Sequence, residues 1–182
     1  FVVFKSAIEN GGSARALCLK GGASLGRKPI DKLGEFVKTY RAKGLAWIQL
    51  KEDGVKSSLA KFLTDDVTEN IVKTMGAETG DAIFIVADKD SVVLQSLGAL
   101  RLELAKQFDL IKDKNEFNFT WVTEFPFFEY SEEEERFKAC HHPFTSPMDE
   151  DLEFVESDPA RVRAKAYDLV LNGAEIGGGS IR

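Results

Sequence analysis

Cysteine and histidine are scarce in this chain, which has two of each among 182 residues. The two cysteines are far apart and show no Cys-x-x-Cys spacing, which argues against a disulfide framework and fits a reducing cytosol. No apolar run is long enough to span a bilayer, and no signal-peptide pattern is present. An excess of basic residues is missing too, because the formal net charge is −6. The sequence therefore predicts a folded cytoplasmic protein with no membrane partner, and gives no electrostatic case for binding nucleic acid unaided.

An initiator methionine is also missing. The chain starts with FVVF, which predicts the start of an apolar strand, and it stops directly after another predicted strand with no polar tail. We therefore expect an excised piece of a larger protein. Its length allows one domain or two small ones.

The spacing of apolar residues predicts an α+β fold. The stretch 81–88 is a continuous apolar strand, and the apolar positions from 90 to 108 recur at three and four residues, as in one long helix. Further strands are predicted at 14–20 and in LAWIQLKEDG at 45–54, which closes on an Asp-Gly turn. Further helices are predicted from Pro29 to a stop at Gly44, and at 65–75 behind Thr64 as N-cap. These elements predict a two-layer α/β module over residues 1–112.

The character of the sequence changes after the polar joint KDKNE at 112–116. Residues 117–130 are aromatic and β-prone, and Pro126 limits how far a central strand can run. The acidic run Glu132 to Glu135 predicts a solvated loop. A short helix is expected from Pro159, capped by Ser157 or Asp158. Residues 113–182 are therefore predicted to be a β-rich piece of a different character from the first module.

Asn172 and Gly173 predict the tight turn of a β-hairpin, because a type I′ turn needs positive φ at both positions. This turn places Asp168 opposite Gly177 and makes Asp168 and Glu175 diagonal neighbours on one face. Two carboxylates that share a patch repel unless a cation joins them, and oxygen ligands suit Mg²⁺ completed by phosphate and water. The alternative is that both carboxylates lie on the solvated face of the sheet.

The glycine triplet Gly177, Gly178 and Gly179 favours the first interpretation. Consecutive glycines inside a strand sacrifice packing, and they usually mark a bulge or the close approach of a ligand. Strict alternation would turn Arg182 away from the carboxylate face, but a single bulge within the triplet would turn it onto that face. The hairpin therefore predicts a site for a nucleotide, Mg²⁺ and a carboxylate that the guanidinium clamps bidentately.

The segment HHPFTSP holds both histidines of the chain. His141 and His142 point to opposite faces in extended structure, and no third ligand is near in sequence, so a zinc site is not expected. One imidazole could reach a substrate from this firm loop. The alternative is a histidine packed beneath the loop.

The segment 20–28 gives a weaker indication of a binding site. Three basic residues flank three glycines and could form a small phosphate-binding loop, although a plain solvated turn is the favoured interpretation in an acidic chain. These residues are Lys20, Arg27, Lys28, Gly21, Gly22 and Gly26.

Three segments in order, FTWVTEFPFFEY, HHPFTSP and AYDLVLNGAEIGGGSIR, resemble the catalytic domain of bacterial-type aspartyl-tRNA synthetases. The upstream segments LCLKGGASLGRKPID, KGLAWIQL, AKFL and GDAIFIVAD resemble the GAD insertion domain that these enzymes carry, and LGALR resembles the return from it. The resemblance covers essentially the whole chain. It implies a GAD-like insertion domain at 1–112 and a partial class II catalytic domain at 113–182.

The resemblance implies ATP-dependent attachment of L-aspartate to tRNA(Asp) through an aspartyl-adenylate, with ATP as substrate and Mg²⁺ as cofactor. It assigns Glu175 to ATP and Mg²⁺, Asp168 to Mg²⁺, and Arg182 to the side-chain carboxylate of aspartate, the contact that rejects asparagine. It assigns His141 to the substrate, with His142 as its neighbour on a mobile loop. Ser180 and the glycine triplet are expected to form the pocket floor.

Class II motifs 1, 2 and 3 and the anticodon-binding barrel are absent from this sequence. We therefore expect the 182 residues alone to be inactive, because half a site cannot pre-organise a transition state. The resemblance implies a homodimeric parent enzyme. The alternative function is a non-catalytic module that contacts tRNA or the parent enzyme. A third hypothesis is an unrelated Mg²⁺-dependent phosphate-handling enzyme.

Overall fold

A computed structural model describes residues 2–113 and 115–182. It divides into two compact units, Phe1–Lys112 and Asp113–Arg182. The division lies at the polar joint in the sequence. Both units contain antiparallel sheets, and helices pack on the sheet of the first, so the predicted α+β class is confirmed. Within the described ranges, no helix has the length and apolar character needed to cross a membrane.

The first unit is a four-stranded antiparallel sheet with four helices. In space its strands follow the order β1-β4-β2-β3. The strands are β1 (Ser13–Leu19), β2 (Ala46–Lys51), β3 (Gly54–Ser57) and β4 (Ala82–Asp88). The helices are α1 (Val2–Glu9), α2 (Arg27–Lys38), α3 (Asp65–Thr74) and α4 (Asp90–Gln107).

The central strand β4 explains why its sequence is continuously apolar. Phe84 and Val86 point into a cluster formed with α2 and α4, while Ile83 and Ile85 point into a second cluster against which α1 and α3 pack. Both faces of β4 are therefore covered. The predicted stripe of α4 is confirmed, since four of its members are buried in the first cluster and the fifth packs against it. They are Val93, Leu97, Leu100, Leu104 and Phe108.

Two predictions about helix ends were wrong. A strand was expected at the opening FVVF, of which Phe1 lies outside the described residues, but Val2 to Phe4 belong to α1. Phe4 packs against the second cluster, while Val2 and Val3 remain exposed. Tertiary packing of one aromatic ring overrides the β-propensity of the two valines. Helix α2 ends at Lys38 and not near Gly44, because Arg41 takes a left-handed conformation with φ 70°.

The second unit contains a three-stranded antiparallel sheet and a separate hairpin. The sheet has the order β5-β8-β9, and β6 pairs with β7. The strands are β5 (Phe119–Thr123), β6 (Phe128–Ser131), β7 (Arg136–Ala139), β8 (Ala166–Leu171) and β9 (Ala174–Ser180). Short 3₁₀ helices cover Asp149–Phe154 and Pro159–Arg161, and the second of these lies where a short helix was expected. The acidic run at 132–135 is the exposed turn of the β6–β7 hairpin, as predicted.

Arg163 ties the irregular segments of the second unit together. Its backbone N–H and Nε both donate to Oδ2 of the buried Asp151, at 2.9 and 2.8 Å. Its guanidinium also reaches Glu150 and Glu124. The hydrogen bonds from Arg163 hold the pKa of Asp151 below its usual range. In this mostly irregular part of the chain, the ion network links segments that lie far apart in sequence.

Candidate active site on a bulged hairpin

The turn of the β8–β9 hairpin is formed by Asn172 and Gly173, as predicted. Their φ angles are 50° and 86°, both positive. The Asn172 side chain also anchors the turn to the segment before β5: its Nδ2 donates to the Glu116 carbonyl, and its Oδ1 accepts the N–H of Asn118. The turn is therefore fixed both by its own backbone and by the segment that precedes β5.

The hairpin contains one bulge. Val170 pairs with Glu175, but Leu169 pairs with Gly177, so Ile176 is the extra residue. The expected bulge within the glycine triplet and the expected pairing of Asp168 with Gly177 are both wrong, because the register has already shifted before the triplet begins. Asp168 pairs with Gly178 instead.

The shifted register brings acceptors and small residues to one face. Asp168, Glu175 and Gly178 share this face, and so does Ser180, which pairs with Ala166. The bulge thus changes the alternation between Glu175 and the last residues of the chain, as a bulge was expected to do. Only its position differs from the prediction.

Two of the three glycines make room for side chains of β8. A Cβ on Gly178 would lie 2.3 Å from Oδ1 of Asp168, and a Cβ on Gly179 would lie 2.9 Å from the hydroxyl of Tyr167. A Cβ on Gly177 would have no atom within 4 Å. The triplet therefore lets the Asp168 carboxylate and the Tyr167 ring lie across β9.

The two carboxylates have the chemistry expected of a divalent-cation site. Asp168 is half-buried and Glu175 is exposed, and within the part of the chain that the structure describes neither side chain has a hydrogen-bond or ion-pair partner. No group of three or more His, Cys, Asp or Glu side chains in residues 2–113 and 115–182 could hold a metal alone. Mg²⁺ commonly keeps waters and phosphate oxygens among its ligands, so two carboxylates fit it.

Arg182 lies beside His142. Its guanidinium donates to Nδ1 of His142 at 3.0 Å, and the backbone N–H of Phe144 donates to the same nitrogen at 3.1 Å. An imidazole nitrogen that accepts from two donors carries no proton, so the proton of the neutral ring is on Nε2. The Phe144 ring packs edge-on against His142 at 4.9 Å.

His141 is held elsewhere. Its Nε2 is 3.1 Å from the Pro126 carbonyl, and its ring packs edge-on against Phe125. The structure thus brings His142, and not His141, next to Arg182. Nothing in the sequence distinguishes the two neighbours, because the choice is made by the loop backbone. The substrate role predicted for His141 stays a prediction.

The glycine-rich turn after β1 is organised around a buried carboxylate. Asp81 is 4% exposed and accepts from Lys20 Nζ at 2.8 Å, from the Gly21 N–H at 3.0 Å and from the Glu78 N–H at 2.9 Å. Burial by itself would raise the pKa of Asp81, but these donors outweigh it and hold the pKa below its usual range. Lys20 and the Gly21 N–H are therefore already paired, which supports the structural interpretation of this turn over phosphate binding.

Sequence reasoning missed the polar residues that shape the same turn. The side-chain amide of Gln49, 3% exposed, donates to the carbonyls of Gly22, Ala23 and Leu25. A polar residue inside an otherwise apolar strand was the available signal, since buried polar groups need partners.

Comparison with known proteins identifies the first unit. The model of the family described as "GAD domain" matches residues 4–97. This range contains the four-stranded sheet, helices α2 and α3, most of α1 and about the first half of α4. The chain belongs to the GAD domain family. The resemblance of the upstream segments to a GAD domain is thereby confirmed.

The relatives extend the similarity beyond the GAD domain to the bulged hairpin. The whole chain is 86% identical to an "Aspartate--tRNA ligase" of Clostridium beijerinckii and 85% identical to one of Clostridium botulinum strain Eklund 17B. It is 69% identical to one of Clostridium perfringens. The chain spans 30% of the length of these relatives. The resemblance to bacterial aspartyl-tRNA synthetases is therefore confirmed over all 182 residues.

Proposed function

We propose that the full-length protein containing this chain attaches L-aspartate to tRNA(Asp) through an aspartyl-adenylate. The observation that carries the proposal is the 86% identity with a protein named aspartate–tRNA ligase, which includes the bulged hairpin and its flanking loop. The arrangement of that hairpin supports it, because two unpaired carboxylates and an arginine suit a reaction between a nucleotide and an acidic amino acid. The site of action that follows is the cytoplasm.

Asp168 and Glu175 are the proposed Mg²⁺ ligands, and Glu175 also contacts ATP. When bound, Mg²⁺ supplies positive charge that neutralises phosphate oxygens. The Asp168 carboxylate lies over Gly178, and the pairing of Glu175 with Val170 fixes the backbone position from which the Glu175 side chain projects. Gly177, Gly178, Gly179 and Ser180 form the proposed pocket floor.

Arg182 is the proposed partner of the aspartate side chain. Its guanidinium can donate two parallel, charge-assisted bonds to a carboxylate, whereas asparagine would present an amide donor to it. The acceptor nitrogen of His142 holds the guanidinium from one side. His142 therefore orients Arg182, and His141 is proposed to contact substrate once the loop adjusts to it.

The proposal extends to the oligomer and to the isolated chain. We expect the full-length protein to be a homodimer. The 182 residues alone are expected to be inactive for two reasons. Several residues of the β5-β8-β9 sheet are exposed among the described residues, and the sequence lacks the arginine of motif 2 that binds ATP.

The test is aspartate-dependent ATP–pyrophosphate exchange by the full-length protein. We expect Arg182→Gln to reduce kcat/KM for aspartate by at least about 100-fold, because a paired, charged contact is lost. Arg182→Lys should recover little, since Lys cannot bond bidentately. Arg136→Gln, which changes an exposed arginine paired with Glu134, is the matched control and should change kcat/KM less than about twofold. Wild-type exchange that does not depend on aspartate would overturn the proposal.

A second function, binding of tRNA by the GAD unit, is favoured by the distribution of charge. Phe1–Lys112 contains 17 Lys and Arg against 14 Asp and Glu, while Asp113–Arg182 contains 7 against 16. The acidic net charge therefore belongs to the second unit. A titration of tRNA with the chain at two salt concentrations tests this function, because phosphate contacts must weaken with salt. Affinity that does not change with salt would contradict it.

A further inference from the structure

The loop His142–Ser146 is attached to the end of β9 by its backbone. The N–H of Ser146 donates to the carbonyl of Ile181 at 2.8 Å, and its carbonyl accepts the N–H of Lys165 at 2.9 Å. The N–H of Ile181 donates to the carbonyl of Lys165 at 2.9 Å. The loop thus lies against both strands at the point where the hairpin ends and Arg182 begins.

Thr145 is the buried member of this loop. It is 5% exposed, whereas His142 and Phe144 are exposed. Its hydroxyl donates to the hydroxyl of Ser180 at 3.2 Å, and its backbone N–H donates to the carbonyl of His142 at 2.8 Å. One residue therefore contacts both β9, two positions before Arg182, and the histidine that accepts from Arg182.

Three hydrogen bonds and the backbone between Ser180 and Arg182 join four residues in a closed circuit. Ser180 accepts from Thr145, Thr145 donates to His142, and His142 accepts from Arg182. The chain itself closes the circuit between Ser180 and Arg182. The Thr145 hydroxyl supplies the link to Ser180 and does not itself contact Arg182.

We propose that Thr145 is a positioning residue for aspartate recognition: it fixes the end of β9 and the His142 loop as one unit, and thereby fixes Arg182. The inference rests on the proposed function. It concerns a residue that does not itself touch substrate. Its effect should therefore fall on the binding of aspartate and not on the binding of ATP.

The test compares Thr145→Val, Thr145→Ser and Thr123→Val in the full-length protein. Valine keeps the shape and removes the hydroxyl. Thr123 is an exposed β5 threonine without a side-chain hydrogen bond among the described residues, and is the matched control. We expect Thr145→Val to raise KM for aspartate roughly 5- to 10-fold, as for one lost buried hydrogen bond. KM for ATP should change less than about twofold, and Thr145→Ser should restore KM for aspartate.

A double-mutant cycle with Ser180→Ala separates positioning from general loss of packing. If the hydroxyl pair carries the effect, Thr145→Val should change KM for aspartate little once Ser180 has already been replaced. Equal increases in KM for aspartate and ATP, full additivity in the cycle, or no rescue by serine would each overturn the inference.

A second measurement does not depend on activity. Nitrogen-15 spectra of the imidazole of His142 in the 182-residue chain report which ring nitrogen carries the proton. We expect the Nε2–H tautomer in both proteins, because the Phe144 N–H still donates to Nδ1. The chemical shift of Nδ1 should change in Thr145→Val, since Arg182 would no longer be held against that nitrogen. An unchanged spectrum would overturn the inference. A wild-type protein without aspartate-dependent exchange would instead contradict the proposed function, and the spectra would still decide the positioning role.

Discussion

Asp81 shows how a single side chain can order a glycine-rich turn. Its buried carboxylate accepts hydrogen bonds from one ammonium group and two backbone N–H groups. The Sγ atom of Cys18 lies 3.9 Å from Oδ2 of Asp81. Burial raises the pKa of the Cys18 thiol, and the neighbouring Asp81 charge adds to that effect. Both effects disfavour the thiolate form of Cys18, which is the reactive form, and the acidic residue beside it is structural.

Replacing Asp81 by asparagine should destabilise the first unit by about 1–3 kcal/mol at pH 7, because a buried charge-assisted network is broken. The folded pKa of Asp81 is lowered, so its stabilisation is present above the unfolded pKa of about 3.9 and is lost as pH falls further. The difference between wild type and variant should therefore shrink below about pH 4. Urea unfolding at pH 7 and pH 3 measures it. Asp31→Asn, an exposed partner of Arg27, should change little at either pH.

Gly178 and Gly177 offer a matched pair at the proposed active site. Alanine at 178 would push against the Asp168 carboxylate, whereas alanine at 177 would meet no atom within 4 Å. We expect Gly178→Ala to lower the free energy of unfolding by roughly 1–2 kcal/mol. Gly177→Ala should be neutral, or should stabilise by less than about 1 kcal/mol. Thermal unfolding of the 182-residue chain distinguishes them, and equal melting temperatures would contradict the assigned register.

At the scale of the elements, α4 carries a glycine that its packing does not require. A Cβ on Gly98 would have no atom within 4 Å, and the residue is in the middle of the helix. We expect Gly98→Ala to stabilise the chain by about 0.5–1 kcal/mol through helix propensity. Gly12→Ala is the opposite case, because its Cβ would lie 2.2 Å from the Asp88 carbonyl. Denaturant unfolding measures both, and a destabilised Gly98→Ala variant would contradict the prediction.

Elements whose signal is repeated over many residues could be predicted from sequence. The stripe of α4 and the continuous apolar run of β4 each contain several independent indications, and the Asn172–Gly173 turn has a φ requirement that few residues meet. Helix α1 could not be predicted, because Phe4 decides it through a contact with residues far along the chain. The early end of α2 likewise depends on the left-handed conformation of Arg41.

The residues of the candidate site could be named from sequence, but their arrangement could not. A glycine triplet shows that the strand is irregular, whereas the position of the bulge depends on which β8 side chains need room. Asp168 and Tyr167 take that room over Gly178 and Gly179, and the shift is absorbed at Ile176. The partner of Arg182 is set by loop backbone, which has no period to detect.

At the scale of the whole molecule, each unit contains one of the two tryptophans, so each can be followed separately. Trp121→Phe leaves Trp47 to report on the first unit, and Trp47→Phe leaves Trp121 to report on the second. We expect the second unit to unfold at lower urea, because β5 is exposed at all five positions and β9 at six of seven. Superimposable transitions would show that the units unfold as one.

The extra residue at Ile176 has a consequence for how this segment can evolve. Between Glu175 and Arg182, the face on which each side chain lies depends on how many residues separate it from Glu175. A substitution at 176 changes only one exposed side chain. Deleting a single residue there would move every later side chain of the strand to the opposite face of the sheet. Selection should therefore preserve the length of this segment more strictly than the identity of its bulged residue. Functional relatives should vary at that position yet carry neither insertions nor deletions around it.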